Sequence, residues 1–204
     1  MSSVLSVGHL SRSWSTLVLT SILGAILALC LSFLQPLQYA STVRLLITQT
    51  TSSAVDPYSA LKFTERIAGS LSELLYSSTF ANNILQSAKG LDQSYFPQTE
   101  YNKRKLWQKT VEAGVSPGSG ILTVVAYHPR RDQAKIIVES ASRELTLQAP
   151  NYFGNNVRVQ VIDAPLDSRW YAKPNIPKNV FLGFGVGLFI GLAWLLTRPR
   201  RGGA

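Results

Sequence analysis

The sequence predicts an α/β domain held between two transmembrane helices, with a mixed sheet of about three to four strands and packed helices. Three observations lead there. Of 204 residues, 46% are hydrophobic and only 15% charged, against roughly 25% charged in soluble domains. The apolar surplus collects in two uncharged runs near the chain ends. Between them, short β-branched stretches alternate with helical periodicity, as in α/β folds.

The first run, Leu17 to Leu34, spans about 27 Å as a helix, close to the hydrocarbon thickness of a bilayer. Pro36 ends it, because the residue before a proline is pushed out of the α region. It exceeds the apolar core of a signal peptide, and no A-x-A-like cleavage site follows. The second run is Val180 to Leu196. Trp14 and Trp194 lie near the outer ends of these runs, where interfacial aromatics belong. Arg12 precedes the first run, and Arg198, Arg200 and Arg201 follow the second. Positive charge closest to the runs thus favours cytoplasmic termini, although Arg44, Arg169, Lys173 and Lys178 balance a wider count. The expected division is a cytoplasmic tail (1–16), a first span (17–34), an extracytoplasmic domain (35–179), a second span (180–196) and a cytoplasmic tail (197–204).

Within the domain, Gln38 to Thr48 alternates apolar and polar residues and predicts a half-buried strand. Asp56-Pro57 reads as a helix cap and first position, followed by Leu61, Ile67, Leu71, Leu74 and Leu75 at helical spacing. Thr79 is expected to cap a second helix closed by Gly90, and Thr99 to open a third that ends at Gly114. Pro117-Gly118-Ser119-Gly120 is a turn before a buried strand, Ile121 to Tyr127. A helix from Pro129 carries Ala134, Ile137, Val138, Ala141 and Leu145, and Val157 to Ile162 forms a third strand. The crossover from Ile121 to Ile162 is long enough for parallel strands. A connector, 164–179, with Pro165, Pro174 and Pro177 is expected to stay extended and to set the domain's height above the bilayer. Trp170 and Tyr171 would sit at headgroup level.

No phosphate loop, HExxH or GxSxG occurs, and the one cysteine, Cys30, lies inside the first run. His9 and His128 are far apart, so no metal site, cofactor or catalytic constellation is expected, and the chain reads as a non-enzyme. Asp163 and Asp167 read as turn or capping groups. The net charge of +9 does not imply nucleic acid, since Lys103-Arg104-Lys105 with Lys109 reads as a solvated helix face matching no nucleic-acid module. Gly183, Gly187 and Gly191 recur every four residues in the second run, and Gly24 with Ala28 repeats the spacing in the first. Such stripes let membrane helices approach closely.

This arrangement resembles the Wzz-type chain-length determinants, or polysaccharide co-polymerases. The resemblance is carried by Pro36 with Tyr39-Ala40-Ser41 and Leu45-Leu46-Ile47, by Ile121 to Val125 followed by Pro129 and Ala134, and by Val159 to Ala164 with Pro165, Pro174, Pro177 and the glycine-rich second run. His128 stands where that family often has Asp. No helix pattern exceeds about 20 residues, so the chain is similar to the short members, and no fused kinase is expected after the second run. The resemblance implies a non-catalytic homo-oligomer in a bacterial inner membrane, acting beside a polysaccharide polymerase on a lipid-linked glycan. The polymer would be lipopolysaccharide O-antigen, capsule or exopolysaccharide. The alternatives are an adaptor that activates a separate cytoplasmic tyrosine kinase, and a two-helix transporter or channel accessory subunit. Ionisable groups, which a transport path requires, are absent from both runs.

Overall fold

A computed structural model describes residues 14–50 and 56–197. Arg12 and the basic residues beyond Thr197 lie outside that set. The chain forms two compact units, one built from its two ends and one comprising Gln38–Ala172.

The α/β unit begins with β1 (Tyr39–Gln49), whose odd-numbered residues Val43, Leu45 and Ile47 are fully buried while Arg44 is exposed. Helix α2 (Pro57–Leu75) starts at Asp56, whose carboxylate accepts the Ser59 N–H at 3.0 Å. Helix α3 (Ser78–Ser87) is capped by Ser77, whose hydroxyl accepts from Phe80 N at 3.2 Å, rather than by Thr79. A single 3₁₀ turn (Gln93–Tyr95) leads to α4 (Glu100–Thr110).

Here the structure departs from the sequence reading. The expected third helix stops at Thr110, and Val111–Ser116 is a strand, β2. Its alternating Val111, Ala113 and Val115 carry the strand pattern, but over too few residues to stand out from the helix preceding them. β2 turns back into β3 (Ile121–His128) through Pro117 to Gly120. Gly120 has φ of +62°, and a Cβ there would lie 2.9 Å from Thr64 Oγ1, so both backbone and space require glycine.

Helix α5 (Arg131–Phe153) lays Ala134, Ile137, Val138, Ala141 and Leu145 against the sheet. β4 (Val157–Asp167) follows, longer than expected, running through Ala164-Pro165. Asp163 and Asp167 are therefore strand residues, and Asp163 faces Arg44 across the sheet at 3.6 Å.

The sheet order is β2-β3-β1-β4, and every pairing is antiparallel. The expected mixed sheet is not formed. β3 and β4 do run the same way, as the long crossover suggested, but β1 inserts between them in a split β-α-β arrangement. A strand's own pattern gives its face, not its neighbour. Pro165 is tolerated because β4 is an edge strand, where a missing donor costs no ladder bond. The span from Leu45 to Ser41 on β1 opposes Val161 to Asp167 on β4, so β4 is bulged there.

One face of the sheet meets α2 and α5 in a continuous core. Trp107 of α4 is fully buried in it, and its Nε1 donates to the Leu75 carbonyl at 2.8 Å.

The other unit pairs α1 (Trp14–Phe33) with α6 (Ile176–Thr197). Both are long and apolar enough to cross a membrane. Their large side chains point outward, with Leu19 68% and Phe181 77% exposed, the reverse of a water-soluble helix pair. Each helix starts earlier than its apolar run, and Pro177 falls in the first turn of α6, where proline costs no hydrogen bond.

Candidate functional site

Two features organise the candidate site. The first is the seam between α1 and α6. The α1 face presents Thr20, Ser21, Gly24, Ala28 and Ser32, and the α6 face presents Asn179, Gly183, Gly187 and Gly191, so both repeat at about four-residue spacing. A Cβ on Gly187 would fall 2.9 Å from Ser21 Cα, and one on Gly183 would fall 2.6 Å from the Gly24 carbonyl oxygen. Gly187 and Gly191 are buried, as are Ser21 and Ser32. Such backbone-to-backbone contact maximises dispersion where lipid removes any hydrophobic drive. Asn179 Nδ2 donates to Ser32 Oγ at 2.9 Å, closing the seam at one end, while Ser32 Oγ in turn donates to the Ala28 carbonyl at 2.8 Å. Sequence reasoning named the glycines and Ala28 but missed Ser21, Ser32 and Asn179, although their spacing extends both stripes.

The second feature is the end of the α/β unit where the chain enters at Gln38 and leaves at Ala172. Ala172 N donates to the Gln38 carbonyl at 2.7 Å, and Ser168 N to the Ala40 carbonyl at 2.7 Å. Ala40 N in return donates to Ser168 Oγ at 2.9 Å. The Tyr39 and Tyr171 rings lie 4.6 Å apart, and the Arg131 guanidinium sits 5.0 Å from the Tyr39 ring. Arg131 also donates to the Arg169 carbonyl at 2.7 Å. Contact with Tyr39 pushes the Tyr171 hydroxyl pKa up. These bonds hold the two chain connections side by side.

His128 sits at the same end, opposite Tyr39 in the register and 3% exposed. Its Nδ1 accepts from Arg130 N at 3.1 Å, and its ring meets Tyr95 edge-on at 4.2 Å. The bond from His128 to the N–H two residues on reproduces what an aspartate does before a proline turn. Burial pushes the His128 pKa below its ordinary value, and the Arg130 charge acts in the same direction. His128 Nε2, Ser41 Oγ and Asp167 Oδ1 are buried without a hydrogen-bond partner among the described residues.

The connector prolines do not act as one piece. Pro165 belongs to β4, Pro174 is buried and Pro177 lies within α6. Trp170 is 82% exposed, and Trp14 and Trp194 are exposed at the start of α1 and in the last turns of α6. On α4, Arg104, Lys105 and Lys109 are solvated, whereas Lys103 pairs with Glu100 at 3.3 Å.

No family model and no curated protein matches this chain.

Chemically, the arrangement can position and present a surface. Among the described residues no cluster of His, Cys, Asp and Glu is placed to hold a metal ion. The nearest titratable grouping, His128 with Asp92, Arg130 and Asp132, supports the turn between β3 and α5.

Proposed function

We propose that this chain is a non-catalytic, membrane-anchored scaffold that regulates the length or export of a bacterial surface polysaccharide. In this reading α1 and α6 cross the inner membrane, both termini are cytoplasmic, and the α/β unit stands outside. Copies of the chain assemble beside a polymerase that extends a lipid-linked glycan. The observation that carries the reading is the order of parts, in which one α/β unit leaves and returns at adjacent points, bracketed by two apolar helices that pair along small residues. The charge distribution supports it. All 11 acidic residues lie within 38–172, so the segments flanking the apolar runs carry only positive charge, as suits contact with anionic lipid. Exposed Trp14, Trp170 and Trp194 suit the headgroup region.

The test is deletion of the gene, followed by electrophoretic sizing of the surface glycan. The expected result is a shifted or broadened length distribution that the intact gene restores, with sugar-nucleotide synthesis unchanged. A length distribution identical to the parent's would overturn the proposal.

A further inference from the structure

Between α3, the 3₁₀ turn and the start of α4 lies a cleft of about 160 Å³. Its floor is apolar, formed by the buried Leu85 and Phe96 with Pro97 beside them. Its polar lining is almost all carboxamide, from Asn82, Gln86, Gln93 and Gln98, and the one remaining polar side chain is Lys103. No carboxylate lines it.

The cleft is held in shape from below. Gln93 Nε2 donates to the Leu85 carbonyl at 3.1 Å, leaving its Oε1 to accept. Asp92 N donates to Gln133 Oε1 at 2.8 Å, and Gln133 Nε2 to the Gly90 carbonyl at 3.2 Å. The Phe96 ring is wedged between Tyr95 at 5.3 Å and Trp107 at 6.3 Å. A site that is already formed loses little entropy on binding.

Its charge is cancelled. Lys103 Nζ lies 3.3 Å from Glu100 Oε2 and donates to Asn82 Oδ1 at 3.4 Å. An anion would therefore find no free cation here. Gln86 and Gln98 are exposed, and their amides make no hydrogen bond among the described residues. A carboxamide offers donors and an acceptor from one planar group, the complement of neighbouring hydroxyls, each of which donates and accepts. An apolar floor beneath such a rim matches the C–H face of a sugar ring.

We infer that this cleft binds a neutral pyranose ring of a saccharide chain, with Gln86, Gln93 and Gln98 hydrogen-bonding its hydroxyls and Pro97, backed by the buried Phe96, under its C–H face. The inference rests on the polysaccharide reading for the source of the sugar and adds a contact site to it. One ring with a few exposed hydrogen bonds implies affinity of order millimolar. Repeated copies of the site along a polymer would gain by multivalency.

The experiment uses the full chain in lipid nanodiscs and saturation-transfer NMR with glucose, N-acetylglucosamine and inorganic phosphate as separate probes. The expected result is saturation of the sugars and none of phosphate. The double variant Gln86→Ala/Gln98→Ala, whose side chains are exposed, should weaken sugar binding about fivefold or more. Gln160→Ala, exposed on β4, should leave it unchanged. Equal sugar saturation in the double variant and the parent overturns the site, as does saturation by phosphate alone or by none of the probes. The two readings fail separately. A parent protein that binds no sugar removes the cleft and leaves a deletion phenotype standing. An unshifted glycan profile removes the function, whatever the nanodiscs show.

Discussion

Protonating His128 would bring two donors face to face, its own Nδ1–H and the Arg130 N–H that Nδ1 accepts at 3.1 Å. The ring is buried against Tyr95, with Arg130 opposing the added charge and Asp92 and Asp132 favouring it. The net direction is a folded-state pKa below the ordinary value near 6.5. Both states are neutral above that value, so stability is undiminished there. As pH falls below it, the unfolded chain binds a proton that the folded chain resists, and stability is lost toward the folded pKa. Thermal unfolding should therefore drop by a few degrees between about pH 7 and pH 5. In His128→Asn, which keeps a short acceptor for Arg130 N, most of that slope should vanish. An equal slope in the variant would place the pH dependence elsewhere. The burial of His128 depends on Tyr95, 33 positions upstream, and no local pattern announces that pairing.

The pairing of α1 with α6 leaves no room for a side chain at Gly183, Gly187 or Gly191. Replacing Gly187 with leucine would drive a side chain into the Thr20 carbonyl and the Ser21 backbone. Phe189, 71% exposed on another face, offers a matched control. In nanodiscs, Gly187→Leu should lower thermal stability by roughly 1–3 kcal/mol, the range of overpacked contacts, and Phe189→Leu by less than about 0.5 kcal/mol. Disulfide trapping between cysteines introduced on the two helices should fall in step. Full trapping in Gly187→Leu would deny the stripe its role. The glycines face α1 of the same chain, so the proposed association between copies would use other surfaces.

The legibility of these elements follows from how local their signals are. The glycine stripe and the alternation of β1 are periodicities within one segment, and both could be read directly. β2 was hidden because the alternation of Val111, Ala113 and Val115 is too short to stand out from the helix it directly follows. Pro165 reads as a connector residue, and only the non-local fact that β4 lies at the sheet edge makes it acceptable in a strand. Strand order is non-local too, which is why the antiparallel insertion of β1 between β3 and β4 escaped the sequence reading. The amide-lined cleft was invisible for the same reason, since Asn82 and Gln98 line it from positions far apart in the chain.

Taken as a whole, the molecule has an α/β unit whose chain enters and leaves side by side, and two helices long and apolar enough to cross a membrane. The proposed access to a glycan outside the cell and contact with a membrane polymerase would both depend on which side of the bilayer that unit occupies. The decisive measurement is cysteine labelling in intact cells, in a Cys30→Ser background with either Gln108→Cys, exposed on α4, or Gly203→Cys near the C-terminus. An impermeant maleimide should label Gln108→Cys in cells made permeable only at the outer membrane, and should label Gly203→Cys only after the inner membrane is opened. Equal labelling of both positions before lysis, or protection of Gln108→Cys, would contradict the account.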